Sequence, residues 1–242
     1  MKYFLCILCA TLLFSCGENN LSESVQNSFN SQEIDNSKSY WEYFYPIDSI
    51  EPYIYGYQDA NNPIDERLHR FIVMEDDDGD SVLIIERYNS NFRIFEGFTL
   101  NILEDFKIKD HMMVDKDGIK RSSRLSKTQY FPKNLGDQSI FLADFPSHID
   151  SVIMFYESKK HIDETDLIVD VLGEEVEAIS VIDSITVRLV HIGAMKENVQ
   201  KVISRLIFAK NFGLVRFHDT DNETNFKLRR IFSDAWWMEY AR

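Results

Sequence analysis

The chain reads as a mainly β protein: an antiparallel meander forming a strongly curved sheet or a partial barrel, with at most one or two short helices. Three observations predict it. β-Branched and aromatic residues concentrate in short runs that alternate apolar with polar. Polar turns rich in Asp, Asn and Gly separate these runs. Hydrophobic residues make up 44% of the 242, with only nine Gly and five Pro. That suffices to bury one core and excludes global disorder, collagen-like repeats and a pure linker.

The elements follow in order. The body opens with eight aromatics in 18 residues, Tyr40, Trp41, Tyr43, Phe44, Tyr45, Tyr53, Tyr55 and Tyr57. Tyr53, Tyr55 and Tyr57 alternate, so in a strand they share one face, which either packs the core or stacks on a ligand such as a sugar ring. Runs 68–74 and 82–85 flank the tip Glu75-Asp76-Asp77-Asp78-Gly79-Asp80, which is a hairpin signal. Asn89-Ser90-Asn91 turns the chain into 92–98, and Asp115-Lys116-Asp117-Gly118 lies between strands 107–114 and 119–130. Further strands are expected at 151–156, 167–172, 185–192, 203–208, 214–217 and 226–231, the last two around Asp219-Thr220-Asp221-Asn222. Only 194–204 has room for a helix. Trp236 and Trp237, if in a strand, face opposite ways.

The first residues have a different character. One Lys precedes an apolar run of 12 residues from Tyr3 to Phe14, too short for a span of about 20 and suited to a signal peptide. Leu13-Phe14-Ser15-Cys16 resembles the lipobox of bacterial lipoproteins. The resemblance implies cleavage after residue 15 and a lipid (palmitate among its acyl chains) on Cys16. All three cysteines, Cys6, Cys9 and Cys16, lie in this segment, so the body has no thiol for disulfides, thiolate catalysis or metal binding. Residues 17–39 hold five Asn and six Ser in 23 positions. They read as a flexible tether with a span of roughly 25–30 Å. The expected organisation is a signal peptide over 1–15, lipidated Cys16 with its tether over 16–39, and one antiparallel β domain over 40–242.

Tyr45-Pro46, Glu86-Arg87-Tyr88 and Phe208-Ala209-Lys210-Asn211-Phe212-Gly213-Leu214-Val215 are similar to segments of uncharacterised Bacteroidetes-type lipoproteins. That resemblance implies a cell-envelope address, outer membrane and facing either periplasm or surface, and implies no activity. Gly213 is expected to allow a bulge or a close backbone approach.

The net charge of −14 excludes a nucleic-acid binder, which needs a basic face. Five carboxylates in the six residues from Glu75 to Asp80 fit a solvated hairpin tip, or weak calcium contact, but no EF-hand register. Residues 107–133 hold eight basic and three acidic side chains. There Lys120, Arg121, Arg124 and Lys127 suit a protected sheet edge or a patch for an anionic partner. No catalytic assignment follows; the best carboxylate pair is Glu86 and Glu96, on adjacent strands. A three-residue loop would set them diagonally at about 7–8 Å, as in an inverting glycosidase. A two-residue loop would instead put Glu86 opposite Arg93. The six histidines show no ligand spacing and read as isolated surface or rim residues. No metal or cofactor is expected. The reading is a lipid-anchored, non-enzymatic β module that binds an envelope protein, a glycan or a lipid, with the membrane as partner through Cys16. The alternatives are an acyl-chain carrier of the lipoprotein-carrier type and a glycan-acting hydrolase.

Overall fold

The computed structural model describes residues 40–47, 51–114, 118–146, 151–194, 196–219 and 224–241. The signal peptide, the lipobox with Cys16, the tether, His148 and most of the turns at 115–118 and 219–222 lie outside the described residues.

Among the described residues a 3₁₀ turn, Trp41–Tyr43, precedes thirteen strands and one helix. The strands are β1 (Tyr53–Asp59), β2 (Glu66–Glu75), β3 (Ser81–Asn89), β4 (Ile94–Asn101), β5 (Lys107–Val114), β6 (Lys120–Ser122) and β7 (Arg124–Thr128), followed by β8 (Gln138–Pro146), β9 (Val152–Val171), β10 (Glu174–His191), β11 (Lys196–Ala209), β12 (Gly213–Asp219) and β13 (Thr224–Ser233). The helix α1 is Asp234–Tyr240. All strands join one antiparallel sheet in the order β6-β5-β4-β3-β2-β1-β13-β12-β11-β10-β9-β8-β7. Every strand therefore lies beside its chain neighbour, and the first pairs with the last, except at the β6/β7 seam. This is a nearly closed up-and-down barrel.

The seam is a bent strand. Residues 120–122 pair with β5, then the chain turns at Ser123, whose N–H donates to the His111 carbonyl at 2.9 Å. Arg124–Thr128 pairs with β8, and a bridge between Lys107 and Gln129 brings this strand back to β5. The strand expected at 119–130 is thus divided between the two sides of the opening. Lys120, Arg121, Arg124 and Lys127 lie along it, where charge discourages pairing with another sheet.

Inward and outward residues follow the strand period of two. Tyr53, Tyr55 and Tyr57 point inward from β1, with Phe71 on β2, Leu83 and Ile85 on β3, Phe98 on β4, Phe141 on β8 and Phe226 on β13. Outward positions carry ion pairs such as Arg70–Glu86, Arg205–Asp163 and Arg230–Glu66.

Thirteen strands enclose more space than strand side chains alone can fill, since about eight already make a filled barrel. The extra filling is the segment 40–45. Its Phe44 ring packs 4.3 Å from Phe106 and 5.3 Å from Phe131, and Tyr45 lies 4.5 Å from Phe71. Backbone bonds pin it: Tyr40 N–H to Lys133 O at 3.3 Å, and Asn211 N–H to Glu42 O at 2.8 Å. Gly213 takes a positive φ of +77° beneath Tyr45, with a β-bulge between Ile207 and Phe208 alongside. The close approach expected at Gly213 is therefore to the plug.

Two expectations are corrected. Where a helix had room over 194–204, Lys196–Ala209 is strand: β11 pairs along its length with β10, because ladder bonds and sheet burial outweigh the local preference of Lys, Glu and Gln for helix. The helix comes at Asp234, with Ser233 as its N-cap. Trp236 and Trp237 therefore do not face opposite ways on a strand. Trp237 packs with Ile54, Leu68 and Tyr88 on the outer wall, and Trp236 stacks 3.9 Å from Phe232.

Candidate functional site: an aromatic lumen

Inside the barrel a cavity of about 430 Å³ runs from Tyr45 and Leu214, beside the plug, to Ser204 and Thr224 near the β12–β13 turn. Most of its wall is apolar, with Phe95, Phe98, Phe131, Phe208 and Phe217 prominent. Strand alternation places Phe98 on β4, Phe208 on β11 and Phe217 on β12, while Phe131 comes from the segment between β7 and β8. Phe95 gains its lumen position from the bulge between Arg87 and Tyr88, where the β3–β4 register shifts.

Besides Arg67, charged groups enter this wall at two places. The first is Arg87, opposite His69 on β2 and Glu96 on β4. One Arg87 Nη donates to Glu96 Oε2 at 2.7 Å and the other to the Tyr130 hydroxyl at 3.1 Å. Glu96 Oε1 lies 3.3 Å from His111 Nε2, and His111 Nδ1 lies 2.9 Å from Ser123 Oγ. Burial alone would push the Glu96 carboxyl up. The charge of Arg87 and the hydrogen bonds from His111 and Arg87 outweigh it and bring the pKa down to about 2. The second place is Lys160, directly opposite Asp183. Its ammonium donates to Ser158 Oγ at 2.8 Å and lies 3.5 Å from Asp183, while Ser158 donates to Asp183 at 2.7 Å.

Two polar atoms on the lumen wall are buried without a hydrogen-bond partner among the described residues: Arg87 Nε and His69 Nδ1. His69 is only 3% exposed. Burial, and then the charges of Arg87 and Arg67, hold its imidazole well below its usual range, so it is neutral at pH 7.

The Glu86 and Glu96 dyad is overturned. Arg87 pairs with Glu96, so Glu86 falls opposite Gly97 and the two carboxylates point to opposite faces of the sheet. Glu86 accepts from Arg70 at 3.2 Å and from the Tyr88 hydroxyl at 2.8 Å on the outside, whereas Glu96 is bound by Arg87 inside. Neither loop length expected from the sequence occurs, because Asn89 and Arg93 close a longer turn with Phe92 at positive φ. No shared substrate can lie between the two groups, so they do not form a glycosidase dyad.

The Tyr53, Tyr55 and Tyr57 face is the barrel wall. Their hydroxyls donate to the carbonyls of Pro46, Phe212 and Leu214 at 2.8–2.9 Å. These tyrosines tie β1 to the plug and the β11–β12 turn, with Tyr55 and Tyr57 buried and Tyr53 partly so. The basic residues divide: Arg124 is paired with Asp144, while Lys127 shares an open groove with Lys107 and Lys133 at the seam. The acidic tip holds no open cation site. Asp76, Asp78 and Asp80 all turn onto the Lys109 ammonium at 2.6–3.0 Å.

His69 and His111 are buried inside the barrel, which corrects the expectation of surface or rim positions. Arg87 and His69 were not singled out by sequence reasoning, though a signal exists. Counting by twos, His69 shares parity with Phe71, and Arg87 with Leu83 and Ile85, so both fall on the apolar inward face. Ser123, His111 and Glu96 are bonded in the order of a hydrolase triad. However, Ser123 Oγ also donates back to the His111 carbonyl at 3.2 Å and lies away from the lumen cavity. The chain finds no match among protein-family models, curated proteins or solved structures.

Proposed function

We propose that this is a lipid-anchored binding protein of the cell envelope whose barrel takes a small, mainly apolar molecule into its lumen. The observation that carries the reading is the cavity of about 430 Å³ with its aromatic wall. Ligand sites range over roughly 300–1,000 Å³, mostly apolar with a few placed polar groups. A barrel with its lumen plugged at 40–45 holds such a ligand away from water and has no need of a catalytic group. Lipid on Cys16 and the tether over 17–39 would keep it at the membrane, where apolar molecules partition. The lipid anchor has its own test: Cys16→Ala should abolish metabolic palmitate labelling, and labelling that persists would put the anchor elsewhere.

For the lumen, thermal unfolding of the full-length protein is measured with 5-phenylpentan-1-ol, a neutral amphiphile. A bound ligand at about 100 Kd stabilises by roughly 2.7 kcal/mol, which raises Tm by about 5–10 °C in a domain of this size. Leu206, on the lumen wall, is replaced in Leu206→Trp so that an indole fills the space. The rise should vanish in that variant. Equal rises in both proteins, or none in the wild type, would remove the lumen as a binding site.

A further inference from the structure

The identity of the ligand's polar end follows from the atoms the lumen leaves unpartnered. Each Arg87 Nη has a partner, Glu96 or Tyr130, but its Nε–H, an obligate donor, is buried with no acceptor among the described residues. Directly across the β2–β3 ladder, His69 presents a buried Nδ1 that also has no partner. The neutral imidazole can carry its proton on that nitrogen, which makes a second donor. The Tyr130 hydroxyl accepts from Arg87 and so has its own proton to give.

A buried donor without an acceptor costs about 1–3 kcal/mol, so two of them on one wall ask for an acceptor-rich group. The cations around them each have a carboxylate close by. Arg67, Arg87 and Lys160 line the cavity and only Asp183 opposes them there, in a chain whose net charge is −14. Asp65 lies 3.2 Å from Arg67 and Glu96 stands behind Arg87. With Lys160 on Asp183, each of the three cations has its carboxylate, and what the wall leaves toward the open space is unpartnered donors. A phosphate monoester would bring a second negative charge and more oxygens than these donors serve.

Resting on the lumen-binding reading above, we propose that the ligand is an amphiphilic monocarboxylate: its carboxylate accepts from Arg87 Nε–H and His69 Nδ1–H, and its apolar body lies along the Phe95, Phe98 and Phe217 wall. The acid could reach the barrel as a free fatty acid from the membrane or as an aryl-alkyl acid from solution. Both present the same head to the same donors.

The test is isothermal titration calorimetry of the full-length protein in nonionic detergent, with detergent blanks subtracted. It compares 5-phenylpentanoate with 5-phenylpentan-1-ol, which share one apolar body and differ in the head. The wild type should bind the acid roughly 10–100-fold more tightly, the scale of hydrogen bonds to a charged acceptor. Two variants remove these donors: Arg87→Lys retains the charge beside Glu96 but loses the guanidinium with its Nε–H, and His69→Phe retains a ring to stack on Phe217. Each should cut the acid's affinity about tenfold more than the alcohol's. Equal binding of acid and alcohol, or a preference that survives both substitutions, overturns the carboxylate and leaves the lumen reading intact. Binding of neither compound by the wild type removes the lumen reading, and this inference with it. Competition by dodecanoate but not by benzoate would identify a fatty acid as the source, and the reverse a short aryl acid; either supports the carboxylate.

Discussion

Gly213→Ala should destabilise the protein by about 2–4 kcal/mol, far more than a methyl group usually does in a turn. Two costs combine. Gly213 sits at φ +77°, a region that an L side chain adopts only at about 1–2 kcal/mol. A Cβ there would also lie 2.6 Å from Tyr45 Cδ1 and 3.0 Å from Tyr45 Cα. The obstacle includes backbone, so no rotamer change relieves it. The plug has to lift, and with it go the Tyr45–Phe71 contact and the Asn211–Glu42 hydrogen bond. Gly79→Ala is the control: Gly79 has a similar φ of +82° with nothing within 4 Å of the added atom. Urea unfolding should show only about 1 kcal/mol lost there, from the backbone alone. Equal losses in the two variants would mean that the plug's seat on Gly213 adds nothing to stability. If the lumen binds ligand as proposed, Gly213→Ala should also weaken that binding, because Tyr45 is part of the wall.

The meander was legible because most strands alternate visibly and end in turns that carry Asp, Asn or Gly. The tip at Asp76–Asp80 and the tyrosine face of β1 are of this kind. Where the sequence misleads, a tertiary cause can be named. β9 is one strand of 20 residues, yet only its ends, 151–156 and 167–172, look like strand. Its middle, Glu157 to Asp166, is dense in charge and resembles a loop. That charge is tolerated because Lys160 finds Asp183 inside the barrel, while Glu157, Lys159 and Asp163 find partners or water outside. The β9–β10 turn was equally hidden. Leu172 and Gly173 both take positive φ in a two-residue loop, and a Leu at such a position gives no turn signal. The seam at Ser123 depends on which strand each half meets, which no local pattern states. Residues of the lumen site were missed for a related reason. A lone Arg or His in a strand normally points to water, and only the parity shared with Phe71 and Ile85 marks these two as inward. The register of β3 on β4 could not be read, because a bulge at Arg87/Tyr88 decides which carboxylate faces in.

The largest loss is expected from Arg87→Met. The Glu96 carboxylate is 7% exposed and is held ionised mainly by Arg87, against the pull of its own burial. Removing the cation leaves a buried charge with only His111 beside it, at a cost of about 3–5 kcal/mol. Adding Glu96→Gln should recover more than half of that loss, since the amide no longer carries charge and can still meet His111. Urea unfolding of the two single variants and the double variant measures this coupling directly. Acid gives a second view of the same pair. Unfolded, Glu96 titrates near 4.5, and folded near 2. Between those values the unfolded chain binds the proton and the folded one does not. The contribution is therefore complete above pH 4.5, falls as the pH drops, and is gone below about 2. The span corresponds to roughly 3 kcal/mol. The double variant lacks this group, so its stability should fall less steeply from pH 4.5 downward than the wild type's. Parallel acid profiles, or a double variant as weak as the two single losses summed, would show that Arg87 and Glu96 are not coupled in the fold.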